Sequence, residues 1–302
     1  MKRRSRTRRI AAAAALGAVL VAAVFFVLTA ARPSDRVLPT DTRDLANGEV
    51  MFHVGGCMAC HNPPAGTETP GLPAGAAAFS TPFGTLYPGN LTPDPDTGLG
   101  RWTAEEFVDA MTEGVSPDRR HYFPAFPYTS YRNMRVEDLL DLRAYLMSLP
   151  PVRSSPRDAD VPMIGLSRRA MGLWNRFAFR GRTYEPDPDR DAAWNRGAYL
   201  VKGPGHCGEC HTPRNAFMIP DDSRPLEGGP HPRGEGHVPS LRDLVGRGRY
   251  ADVADLTLAL QFGETLGYDQ LSSGGMAKVQ MNLAQLPEDD LRAISEYLLS
   301  LR

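Results

Sequence analysis

The sequence predicts an all-α protein: two tandem helical domains behind one N-terminal apolar helix. Three observations carry that expectation. The four cysteines of the 302-residue chain all fall in two copies of one pattern, CMACH at 57–61 and CGECH at 207–211. Each copy follows a similar short amphipathic stretch and precedes, well downstream, a similar longer one. An uncharged run of 22 residues, Ile10 to Ala31, opens the chain.

That run is long enough to cross the hydrocarbon core of a bilayer. Residues 1–9 hold six basic side chains and no acid, and such a flank stays on the cytoplasmic side. The segment 10–31 is either a retained transmembrane anchor or a cleaved signal. Its length exceeds a usual signal core, which favours the anchor. The expected location is the cytoplasmic membrane, with a single-pass anchor and everything beyond Arg32 on the periplasmic side. The net charge is −1, but seven basic residues and no acid fall in the first 32 positions, so the remainder carries −8. An acidic remainder argues against nucleic acid as a partner.

After a linker at 32–43, the first domain is expected over 44–150. Residues 47–61, NGEVMFHVGGCMACH, read as a short helix running into the CMACH turn. WTAEEFVDAM (102–111) opens with a capping box, Thr103 to Glu106, and buries Phe107, Ala110 and Met111. EDLLDLRAYLMSL (137–149) repeats Leu, Ala and Tyr at helical spacing and stops at Pro150. The second domain, 191–302, repeats the plan. NRGAYLVKGPGHCGECH (195–211) leads into the motif, DVADLTLALQFG (252–263) ends at Gly263, and EDDLRAISEYLLSL (288–301) closes. Gly48 and Gly197 hold equivalent places, either for close helix packing or as caps. Between the domains lies a linker, 151–190, with an apolar and basic stretch, IGLSRRAMGLWNRFAFRG. That stretch reads as a helix bridging the domains or as a surface meeting a membrane or partner.

Cys-x-x-Cys-His is the attachment pattern of c-type haem. The sequence therefore implies two covalently bound haem c groups, attached at Cys57, Cys60, Cys207 and Cys210. His61 and His211 follow as proximal iron ligands; with a first and a last helix crossing in each half, the expected fold is two tandem class I cytochrome c domains. A redox dithiol needs a βαβ setting that the sequence does not show. One shared zinc site gives no reason for two identical histidines.

The stretch 79–134, with its TPFGT, NLTPD and PAFPYTSY elements, resembles the cytochrome c subunits of membrane-bound bacterial dehydrogenases. Those subunits serve alcohol, sugar-acid and molybdenum-hydroxylase enzymes. The resemblance covers about 44–302. Many such relatives carry three haem domains, whereas this chain shows two motifs, a dihaem version. The resemblance implies a non-catalytic electron-transfer subunit. Its electrons would come from a periplasmic or membrane-bound dehydrogenase catalytic subunit and leave for quinone, another cytochrome or a terminal oxidase. The rival is a dihaem enzyme, peroxidase-like or thiosulfate-oxidising, with one open or low-potential haem.

For the sixth ligands, Met276 follows two glycines and is the expected ligand in the second domain, with Met281 as runner-up. Relatives often carry Met where this chain has Phe126, and Phe cannot bind iron. Met134 is the expected ligand in the first domain, with His121 as the alternative. Met111 and Met147 read as core. His53 reads as a surface or propionate contact, and His206 as no ligand at all. Arg101, Trp102, Tyr128 and Arg214 are the expected propionate contacts, and Tyr87, Tyr122 and Tyr131 share the type. His231 and His237 lie in a Gly/Pro-rich loop that could approach a propionate. No nucleophile triad or phosphate loop is present.

Overall fold

The computed structural model describes residues 2–40, 43–64, 71–155, 157–179, 183–232, 236–263 and 274–302. Ser272 and Ser273, just ahead of Met276, and residues 233–235 of the Gly/Pro-rich loop lie outside them. The described protein is mostly helical, with one N-terminal helix long and apolar enough to cross a membrane, α1 (Lys2–Leu28). Its apolar side chains are exposed on every face, as a membrane-spanning helix requires.

The first half follows as α2 (Leu45–Val54), α3 (Cys57–His61), the hairpin of β1 (Phe79–Thr81) and β2 (Gly84–Leu86), α4 (Ala104–Glu113), α5 (Tyr128–Tyr131) and α6 (Val136–Ser148). Then comes α7 (Ile164–Ala178). The second half has α8 (Ala192–Lys202), α9 (Gly208–His211), the short pair β3 (Gly229–Pro230) and β4 (His237–Val238), α10 (Val253–Phe262), α11 (Gly274–Leu283) and α12 (Glu288–Leu299). Both strand pairs are antiparallel.

Local chemistry sets the ends of these helices alike in the two halves. Asp44 accepts from Asn47 N–H at 3.0 Å to cap α2, and Asp191 accepts from Trp194 N–H at 2.8 Å to cap α8. The capping box of Thr103 and Glu106 opens α4, and Asp252 caps α10. Gly114 and Gly263 end these two helices in the left-handed region.

In each half the helix before the cysteine motif crosses the closing helix, α2 on α6 and α8 on α12. A Cβ on Gly48 would overlap the Asp141 carbonyl, and one on Gly197 would overlap the Ala293 carbonyl. The two glycines therefore set the crossings, deciding between the alternatives in favour of close packing.

The halves share one buried apolar cluster. Met51, Phe52, Leu139, Leu142 and Leu146 of the first are continuous with Leu200, Leu291, Ile294 and Tyr297 of the second. Asp138 ties the seam. It is buried, and it accepts from Asn47 Nδ2 at 2.7 Å, from Arg135 at 2.9 Å and from the Tyr199 hydroxyl of α8. Helix α11 packs on α10 and also reaches α2 and α3.

Candidate functional site: two cysteine–histidine turns

Each motif is a single helical turn. Gly56 takes a left-handed φ of 58° and starts α3, which carries Cys57, Cys60 and His61. Cys207 starts α9, which carries Cys210 and His211. On one turn, residues three and four apart share a face, so the cysteine pair and the imidazole are presented together.

The two histidines are held the same way. His61 Nδ1 lies 2.7 Å from the Gly89 carbonyl oxygen, and His211 Nδ1 lies 2.8 Å from that of Pro239, each acceptor 28 residues beyond its histidine. A carbonyl only accepts, so Nδ1 carries the proton and Nε2 keeps its lone pair. Burial lowers the pKa of both rings, outweighing the carbonyl contact, and so favours the neutral imidazole.

The carbonyls are themselves clasped. His61 C=O accepts from Gly75 N–H at 2.8 Å, and His211 C=O accepts from Gly228 N–H at 2.7 Å. Gly75 and Gly228 have φ of 71° and 77°. A Cβ on either would meet the backbone of the segment carrying the acceptor, at 88–89 or 238–240. Only glycine allows both the turn and that approach.

The thiols point the same way chemically. Burial, with the neighbouring cysteine adding to it, pushes the Cys57 and Cys207 thiols up to about 12. A reactive dithiol needs the opposite shift. Among the described residues no three His, Cys, Asp or Glu side chains converge on a metal-ion position. Two thiols and one neutral, oriented imidazole per turn form a donor set that fits a covalently attached haem c.

The two turns touch. His206 Nε2 lies 3.2 Å from the Gly55 carbonyl oxygen, and the Tyr131 hydroxyl donates to the same oxygen at 3.1 Å. The rings of Tyr131 and His206 meet edge to face at 5.6 Å. Between Cys207 and Cys210, the Glu209 carboxylate accepts from Thr129 and Ser130 of the first half at 2.6 and 2.7 Å, and from Arg214 at 2.5 Å. Burial pushes its pKa up, but the Arg214 charge and the two hydroxyls outweigh that and hold it below the usual carboxylate range.

The other expected site residues lie in different settings. Arg214 spends its guanidinium on Glu209 and on the Met218 carbonyl at 2.6 Å, and the Tyr128 hydroxyl donates to Asn175 of α7 at 2.9 Å. Arg101 is exposed and paired with Asp96 at 3.0 Å, while Trp102 packs on the core and its carbonyl accepts from Arg143 at 2.7 Å. Met134 is buried in the seam against Gly203, and its carbonyl accepts from Arg36 at 2.7 Å. Met276 is half-buried on α11, whereas Met281 is exposed. His121 lies at the end of α1, with Nε2 3.1 Å from the Thr29 carbonyl. Phe126 packs its ring against Tyr122, Tyr128 and Tyr131. Sequence reasoning misses the carbonyls of Gly89 and Pro239 and the bridging roles of His206 and Glu209. The only sequence signal for the first pair is the shared 28-residue offset.

The cytochrome c family matches residues 45–150. Across the chain, similarity extends to a dihaem c-type cytochrome of Cereibacter sphaeroides, 40% identical over 85% of this chain and 86% of that one. A nicotinate dehydrogenase subunit of Pseudomonas putida is 44% identical over 85% of this chain but only 21% of its own length. The fructose dehydrogenase cytochrome subunit of Gluconobacter japonicus is 34% identical over 85% of this chain and 52% of its own. The chain thus spans most of the first relative and about half or less of the other two. With two oriented Cys-x-x-Cys-His turns and this degree of identity, the protein belongs to the family of dihaem c-type cytochromes.

Proposed function

We propose that the chain binds two haem c groups and relays electrons from a periplasmic or membrane-bound dehydrogenase catalytic subunit to quinone, another cytochrome or a terminal oxidase. Cys57, Cys60, Cys207 and Cys210 form the thioether attachments, and His61 and His211 bind iron through Nε2. Met134 and Met276 are the sixth ligands in this reading, and residues 44–150 and 191–302 are the two class I cytochrome c domains. When bound, haem c supplies a one-electron couple. The protein's own part is to hold imidazoles, exclude water and fix distance. Gly89 and Pro239 orient the rings through Nδ1. Tyr131, His206 and Glu209 hold the two attachment turns against each other, which keeps the path between them short. Arg101 and Trp102 remain proposed propionate contacts. Arg214 and Tyr128 are proposed in the same role, although the Tyr128 hydroxyl and both terminal nitrogens of Arg214 already have protein partners, while Arg214 Nε is buried without one.

The observation that carries this reading is the duplicated Nδ1-to-carbonyl contact. It prepares both imidazoles for the same task in halves otherwise joined by one core. Purification of the tagged full chain from native membranes in mild detergent tests the partner. A flavin, quinone or molybdenum dehydrogenase should copurify, and its substrate should reduce the haems. Recovery without any dehydrogenase contradicts the relay assignment. Met134→Leu and Met276→Leu should each remove one thioether-to-iron charge-transfer band of the ferric protein.

A further inference from the structure

The helix α7 is built into the end of α1. Arg169 Nη2 donates to the Phe26 carbonyl at 2.5 Å, and Arg176 Nε donates to the Leu28 carbonyl at 2.8 Å. His121 takes the Thr29 carbonyl, and Thr29 itself is fully buried. Three carbonyls at the end of α1, where the helix supplies no partner, are thus satisfied from outside it. A Cβ on Gly172 would lie 2.5 Å from Thr29 O, so glycine brings the two helices into contact.

The face of α7 turned away from the protein is apolar. Leu166, Leu173 and Phe177 are spaced seven and four apart, so they form one stripe, and they are 51%, 37% and 62% exposed. Met163, at the start of the helix, adds to it at 73%. Arg169 and Arg176 flank that stripe with their charges tied to α1. The opposite face is occupied. Asn175 meets Tyr128, and Trp174 Nε1 donates to the Phe217 carbonyl at 2.8 Å.

The position of α7 follows from α1. The apolar span Arg6–Leu28 has 23 residues, about 34 Å of helix, against a hydrocarbon core of about 30 Å. Its last carbonyls therefore emerge at the outer surface, and α7 is bonded to them there. We propose that α7 is an interfacial helix, lying on the outer leaflet of the bilayer that α1 crosses, with Leu166, Leu173 and Phe177 among the lipids. The occupant of the stripe is the phospholipid surface, because α7 is bonded to the end of the apolar span of α1, where that span leaves the hydrocarbon core. Apolar residues on one side with arginines at the margin form the pattern of helices that lie in a membrane interface. This fixes the orientation of the cysteine–histidine turns relative to the membrane, which a single flexible anchor does not do.

The full-length holoprotein in phospholipid nanodiscs, with a photoreactive group near the top of the acyl chains, tests this directly. Adducts mapped by mass spectrometry should fall on Leu166, Leu173 and Phe177 about fivefold above those on Leu258, which is 52% exposed on α10. The double variant L173E/F177E should lose α7 adducts by a similar factor while α1 adducts and haem absorbance stay unchanged. Adducts on α1 with α7 at the level of Leu258 overturn the proposal and leave the stripe to a protein partner. Absence of adducts from both helices overturns it together with the anchor, without touching the haem assignment. The wild-type map decides even if the variant does not fold.

Discussion

Glu209 is the side chain whose role contrasts most with its place in the sequence. It fills one of the two spacer positions of Cys-x-x-Cys-His, which the pattern leaves free, yet it joins the halves. Its side chain and that of Arg214 are 12% and 14% exposed, so each is the main compensation for burying the other. Glu209→Ala leaves Arg214 buried without its partner, which costs about 3–5 kcal/mol. Glu209→Gln keeps acceptors for Thr129 and Ser130 and should cost about 1–2 kcal/mol. Chemical denaturation of the holoprotein measures both, and equal losses contradict the ion pair as the dominant contact. The cysteines and motif histidines are legible because the pattern is local and chemically specific. The bridging roles of Glu209 and His206 are not, because the partners they reach in the first half lie 79–151 residues away and are backbone or small hydroxyls. Arg101 and Arg214 read as charges waiting for a propionate, but each has a carboxylate within a few residues, Asp96 and Glu209.

At the level of elements, helices and caps are readable because each signal is confined to a turn. The Thr103–Glu106 box, the stop at Gly263 and the periodic closing helices all stand in the structure. The crossings are half-readable: equivalent glycines suggest them, but only the fold shows which carbonyl each faces. Gly48→Ala and Gly197→Ala should each force a crossing apart and cost about 1–3 kcal/mol. Thermal unfolding of the holoproteins checks this, and wild-type stability in both would show that the crossings are loose. The reach of α11 to α2 and α3 has no sequence signal, since it joins distant segments. For α7 the two sequence readings turn out to describe opposite faces: one packs between the halves and α1, the other is exposed.

Across the whole molecule, the duplicated sequence does not produce two separate cores. Buried residues run continuously from α2 and α6 into α8 and α12, and the two cysteine turns meet at the Gly55 carbonyl. That arrangement suits a relay whose centres keep a constant separation. The apolar helix α1, by contrast, is tied through its final carbonyls to α7 and His121, which under the interfacial-helix proposal holds the relay at a set place on the membrane. A relay of this kind needs an electron-transfer haem on each turn, rather than one reactive and one supporting haem. An optical redox titration of the purified full-length protein, repeated under carbon monoxide, tests that requirement most directly. Both haems of each chain are predicted to titrate as one-electron couples, with a reduced spectrum unchanged by carbon monoxide. A haem that stays out of the one-electron titration, or one that binds carbon monoxide, would contradict the relay.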